Sequence, residues 1–157
     1  MLDTFQGLPV HALIVHATVV ILPLAAFMVG LAAVYPRFRR WAGPLPAVLA
    51  LVSVVLVPLS TMSGDKLYAR MLKFGNNQLI EDHKHLAGLL KYIVVPFAIL
   101  AVAGYLLERR GNAGKSLMIT ISVLSVVAAG ALAVDVALIG HAGAKANWAP
   151  IIQSTNH

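Results

Sequence analysis

The stretch Pro9-Val-His11-Ala-Leu-Ile-Val-His16-Ala-Thr-Val-Val-Ile-Leu-Pro23 decides how the rest of the chain is read. It opens a run that stays apolar from Val10 to Val34, about 25 residues, enough to cross a bilayer as a helix. Two histidines stand at the head of that run. An imidazole in hydrocarbon needs a partner, so each is a candidate site residue. Every later segment can be asked whether it brings chemistry near His11 and His16.

Composition fits this reading. Of 157 residues, 59% are hydrophobic and 11% charged, with a mean hydropathy of +0.83, whereas a soluble domain carries roughly a quarter charged residues. The chain reads as one integral membrane domain, residues 1–157. The net charge of +6 sits mostly in short loops beside apolar runs, so lipid headgroups explain it better than nucleic acid. There is no cysteine, which excludes disulfides, iron–sulfur clusters, thiolate zinc and covalent haem attachment. The first helix is expected to be retained: Asp3 and no Lys or Arg precedes it, and the basic cluster Arg37-Phe-Arg39-Arg40 follows.

Four apolar segments stand out, Val10–Tyr35, Leu45–Met62, Leu86–Leu107 and Leu117–Ile139, and the fold class is an all-α four-helix membrane bundle. The loops between the first and second and between the third and fourth are short and basic. The positive-inside rule therefore places both termini and the long connection outside, N-out and C-out, in the inner (cytoplasmic) membrane. Tyr35 and Trp41 suit the inner interface, Tyr68 and Trp148 the outer one. Asp65-Lys-Leu-Tyr-Ala-Arg-Met-Leu72 keeps helical spacing, so the second helix should continue beyond the membrane. Gly75-Asn-Asn77 should break it, and Asn77, Glu81 and Asp82 suit the start of the third. No internal repeat is visible.

Pro23, Pro58 and Pro96 lie at similar depths and each removes a helical hydrogen bond. Shared kinks there would splay the outer halves and leave room for a cofactor, although prolines are also common in membrane helices. Gly104 and the run Ala128-Ala-Gly-Ala-Leu-Ala133 offer small residues for close packing, which suggests a central fourth helix.

Counting depth at about 1.5 Å per residue puts His11, His83 and His141 at the outer water boundary, with His85 near them. His16, Asp65, Lys91 and Asp135 fall one layer deeper. All six histidines, His157 included, lie on the outer side. Asp135, between Val134 and Val136, costs several kcal/mol unless paired or protonated. It could form an ion pair with Lys91, or accept from the ring of His16 or His83 as metal-bound imidazoles require. His11 and His16 stand about 140° apart around a helix, so they need not share a ligand. His83 and His85 project to nearly opposite sides.

Imidazole suits copper, zinc and iron. Two imidazoles from different helices suit one b-type haem, and histidines at one face only allow no second. The candidate cofactor ligands are His11, His16, His83, His141 and Asp135; for a bare ion such as copper or zinc they are His11, His16, His83, His141 and Asp65. No catalytic residue is assigned. The string Gly111-Asn-Ala-Gly114-Lys115-Ser116 is not a P-loop, because Arg109 occupies the first glycine position and no strand precedes it.

Taken together, these residues resemble the uncharacterised bacterial membrane family called domain of unknown function 2231, in a form similar to actinobacterial members. The likeness rests on Gly7-Leu-Pro-Val-His11-Ala-Leu-Ile-Val-His16, then Ser63-Gly-Asp65 with Leu67 and Arg70. It continues through Glu81-Asp-His83 with Leu86 to Gly140-His141-Ala-Gly143-Ala-Lys-Ala-Asn-Trp148. Where family members tend to read Glu-His-x-x-Leu-Gly, this chain has Asp82 and Ala87, and His83 matches the pattern better than His85. The resemblance implies a four-helix membrane domain and no established activity.

The residues themselves lead to an expectation of an outer-leaflet His/Asp site for one b-type haem or one transition metal. It would serve electron transfer or metal handling beside a larger membrane complex or in a homo-oligomer. The competing expectation is a structural or assembly subunit whose polar layer locks the helices together. Proton passage along His16 and Asp135 is disfavoured by the lack of ionisable residues in the inner half.

Overall fold

The computed structural model describes residues 4, 5, 7–74 and 78–155. A two-residue antiparallel pair, β1 (Thr4–Phe5) with β2 (Leu8–Pro9), precedes the bundle, and Gly7 takes the positive φ of its turn. Then come α1 (Val10–Val34), α2 (Pro36–Ala42), α3 (Leu45–Met71), a 3-10 turn at Leu72–Phe74, α4 (Gln78–Arg110) and α5 (Lys115–Thr155). Four helices, α1, α3, α4 and α5, are long and apolar enough to cross a membrane.

The connection at 36–44 is more ordered than a loop. Pro36 opens α2, and Gly43 at φ 56° closes it with its N–H donating to the Arg39 carbonyl. Helix α2 is tied down by Arg39, whose Nε donates to Glu108 Oε2 of α4 at 2.9 Å, while Arg40 Nη1 lies 3.8 Å from Oε1. Phe38 and Trp41 pack ring on ring beside it. At the other end α3 continues past the apolar run as its spacing predicts. There Tyr68 donates to Glu81 Oε1 at 3.1 Å, Lys84 Nζ sits 3.2 Å from Asp65 Oδ1, and the same ammonium lies 4.2 Å from the Tyr68 ring centre. These contacts align the extensions of α3 and α4. The expected break at Gly75–Asn77 and the terminal His157 lie outside the described residues, as does Asp3.

Helix α1 packs against α3 and α5, and α4 packs against the same two. The bundle is therefore a square in which α1 stands diagonal to α4, and α3 diagonal to α5. The core is built from small and medium side chains around Phe97, with Leu22, Ala25, Ala50, Val57, Val94 and Leu132 almost wholly buried. Lipid is as apolar as these residues, so close van der Waals fit rather than exclusion of water holds the helices together. Gly30 approaches Ala129 across α1 and α5 on this basis.

One expectation needs correction here. The fourth span, α5, is not central: it is the least buried of the four, because Gly130, Ala131 and Ala133 face outward and only Ser125, Ala129, Leu132 and Asp135 form its buried stripe. It also runs past Ile139 to Thr155. Helices α1, α3 and α4 are continuous through Pro23, Pro58 and Pro96, and all three prolines are exposed. A cleft in the bundle lies in the opposite half from the histidines, among Ala32, Arg39, Ala47, Gly104 and Ser125.

Candidate functional site

His11 occupies the first turn of α1 and reaches across to α3. Its Nδ1 lies 3.1 Å from the Ser60 carbonyl and 3.1 Å from Ser63 Oγ, which itself donates to Ser60 O at 3.0 Å. A carbonyl only accepts, so Nδ1 carries the hydrogen, and in the neutral ring Nε2 is left with a lone pair. The ring fits because residue 64 is glycine: a Cβ there would stand 3.0 Å from His11 Cε1. Below this contact Thr18 Oγ1 pairs with Ser60 Oγ at 2.7 Å and donates to the Ile14 carbonyl, continuing a polar seam between α1 and α3.

His83 stands in the second turn of α4 and reaches across to α5. Its Nδ1 donates to the Ile139 carbonyl at 3.1 Å, and a Cβ at Gly143 would stand 3.1 Å from its Cε1. The chemistry repeats that of His11: Nδ1–H is committed to a helix carbonyl and Nε2 is free to ligate. Both rings are half-buried, and they come from diagonal helices of the bundle. Of the sequence candidates, these two are the pair that the fold holds in matching states.

The others are placed differently. His16 lies on the outward, exposed face of α1 and its Nδ1 turns back to the Ala12 carbonyl of its own helix. Depth counting put it in the site, but five residues of helix rotate it away from His11. His141 and His85 are exposed. Asp65 is exposed and engaged with Lys84 rather than with a histidine.

Asp135 is buried at 7% exposure on the inward face of α5, and its Oδ2 has no hydrogen-bond partner among the described residues. The Asp135–Lys91 ion pair does not form. Lys91 is exposed, its ammonium 5.0 Å from the centre of the Tyr92 ring. Asp135 does not orient a ring either, since the Nδ1 atoms of His11, His16 and His83 are all taken by backbone carbonyls. Among the described residues no group of three or more His, Asp or Glu gathers into a metal site.

The residues that sequence reasoning missed are Gly64 and Gly143, with the carbonyls of Ser60 and Ile139. Their signal was present as glycines inside the strings Ser63-Gly-Asp65 and Gly140-His-Ala-Gly143, but nothing in one chain says that a ring rests on them.

No curated protein and no solved structure matches this chain. The family model for DUF2231, described as a predicted membrane protein, matches residues 7–156. With four membrane-length helices over that span, the chain belongs to this family of predicted membrane proteins.

Proposed function

We propose that the protein holds one b-type haem between His11 and His83 and passes electrons at the outer face of the inner membrane, beside a larger membrane complex. The observation that carries this reading is the shared state of the two imidazoles: each gives Nδ1–H to a neighbouring helix carbonyl and keeps Nε2 for a metal. Such outer hydrogen bonds fix the tautomer and aim the ring of metal-bound histidines. The number of ligands favours haem over a bare ion. A haem iron takes four nitrogens from its porphyrin and needs two from the protein, whereas zinc sites take three or four protein ligands, and no such group gathers among the described residues. When bound, the haem would supply one-electron carriage. The protein's part would be to hold the iron through His11 and His83 and to surround it with apolar side chains. Arg37, Arg39, Arg40, Arg109, Arg110 and Lys115 cluster at the opposite end, which supports a cytoplasmic location for that end.

The test is the reduced-minus-oxidised visible spectrum of protein purified in mild detergent, with elemental analysis of the same sample. A low-spin b-type spectrum with one iron per chain, lost in both His11→Ala and His83→Ala, is expected. Stoichiometric copper or zinc without a haem band would overturn the reading.

One observation favours a second reading, a structural subunit. The same hydrogen bonds tie α1 to α3 and α4 to α5, so the histidines could serve as helix clasps. Purified protein with neither haem nor metal, and a lowered melting temperature in His11→Ala and His83→Ala, would support it.

A further inference from the structure

The two histidine contacts are the same contact made twice. In each, a ring from the first helix of a hairpin rests on a glycine of the second, and its Nδ1 bonds the carbonyl four residues before that glycine. The pairs are Ser60 with Gly64 and Ile139 with Gly143. In an α-helix that carbonyl and that glycine lie one above the other on one face, so the two seats share one geometry.

The likeness extends down the bundle. Counting from His11, the buried positions of α1 include Thr18, Leu22, Ala25, Ala26 and Val29; counting from His83, those of α4 are Leu90, Val94, Phe97, Ala98 and Ala101. The steps from the histidine are identical in the two helices. Counting back from the glycines, Pro46, Ala50 and Ser53 of α3 stand where Ser125, Ala129 and Leu132 stand on α5, while buried Ala47 and Val57 answer to exposed Val126 and half-buried Val136, and buried Asp135 to half-buried Leu56. Helical periodicity fixes the spacing of any buried stripe. It does not fix the phase relative to a histidine or a glycine, and here the phase agrees at the matching positions in all four helices. The packing completes the relation: α1 is diagonal to α4 and α3 to α5, the arrangement that a twofold axis along the bundle produces. Parallel repeats about an axis along the membrane normal are a known way of building membrane bundles.

We infer that the chain is a tandem repeat of one helical hairpin, α1/α3 and α4/α5, and that its histidine end is a symmetric clamp. In it His11 on Gly64 and His83 on Gly143 would offer two equivalent Nε2 lone pairs to one metal centre. The ligand half of this inference rests on the haem reading above; the repeat does not. The matching ligand class is a metal centre that accepts two opposed imidazoles, as the iron of a porphyrin does. Gly64 and Gly143 are then equivalent positioning residues, since a methyl group at either would press on Cε1 and turn that ring. One departure is built in: Ser63 gives His11 a second acceptor, while the corresponding residue before Gly143 is Ala142.

The experiment uses the full chain labelled with 15N-histidine, before and after addition of haemin. In the protein without haemin, long-range 1H–15N spectra should show His11 and His83 as neutral Nδ1–H tautomers, assigned with His11→Gln and His83→Gln. Gly64→Ala should shift the His11 signals alone, and Gly143→Ala those of His83 alone. Should either alanine variant fail to insert, the tautomers of the unaltered protein decide by themselves. After haemin addition each alanine variant should weaken binding by roughly 10-fold or more, the scale of losing a group that orients a ligand. His11→Ala and His83→Ala should each turn a six-coordinate low-spin spectrum into a five-coordinate one. An Nε2–H tautomer at one histidine, or a Gly143→Ala variant that shifts no histidine signal, would overturn the repeat. A low-spin spectrum retained in one of the two histidine variants would overturn the symmetric clamp. Both tautomers as expected with no haemin uptake would overturn the haem reading and support the repeat.

Discussion

The His11 imidazole lies over Gly64 so closely that a Cβ at that position would stand 3.0 Å from Cε1, with Nδ1 held by the Ser60 carbonyl four residues earlier. The glycine thus does two things at once: it lets α1 and α3 approach, and it exposes a carbonyl edge to a ring. Replacing the ring removes the interhelical hydrogen bond to Ser60 and the packing on Gly64. His11→Ala should therefore lower stability by about 1 kcal/mol, typical of an interhelical hydrogen bond in a membrane protein. Thermal unfolding in detergent measures it, and His11→Asn should recover part of the loss, since its amide can still donate.

Asp135 should behave as an isolated buried carboxyl rather than as half of an ion pair. Its Oδ2 lacks a partner among the described residues, and Lys91 turns to the exposed ring of Tyr92. Asp135→Leu is expected to raise the melting temperature, by the equivalent of about 1–3 kcal/mol for removing an unsatisfied buried polar group. Lys91→Met should change it little, alone or combined with Asp135→Leu. Destabilisation by Asp135→Leu that Lys91→Met rescues would mean that the two side chains meet after all.

The opposite end of the bundle depends on Arg39. Its side chain is 16% exposed, bonded to Glu108 Oε2 at 2.9 Å and to the Ala32 carbonyl at 3.4 Å. Arg39→Ala leaves a partly buried Glu108 with only the distant Arg40 and should cost roughly 1.5–3 kcal/mol, the range for a charged hydrogen bond. Arg39→Lys should recover less than half, because a point charge cannot reproduce the guanidinium contacts. Melting of the two variants side by side checks this.

Topology is tested by cysteine labelling in a chain that has no native cysteine. Gly111→Cys, between α4 and α5, should react with an impermeant maleimide only after permeabilisation. Lys73→Cys, beyond α3, should react in intact cells. The reverse pattern would put the histidines in the cytoplasm.

Much of this molecule was determined by the sequence alone. Four apolar runs of membrane length dictate four spanning helices, and the ends of α1 fall where the run from Val10 to Val34 predicts. The extension of α3 through Asp65 and Tyr68 was legible because helical spacing continues after hydropathy falls. Placement of the described histidines toward one end was likewise legible, since depth is a matter of counting.

Direction around each helix was decided by tertiary structure. In water an apolar stripe marks the inward face of a helix; in lipid both faces are apolar, and hydropathy cannot say which one a neighbour covers. Hence His16 and Lys91, at suitable depths, turn outward, while Asp135 turns inward with its Oδ2 unpartnered among the described residues. The repeat was hidden for a related reason. Its halves agree in the phase of burial, not in residue type: Ala25 answers to Phe97 and Ser53 to Leu132. A packed bundle constrains the volume that facing side chains fill together, so a small residue in one half can balance a large one in the other, and only the assembled helices reveal that His11 and His83 sit in the same seat.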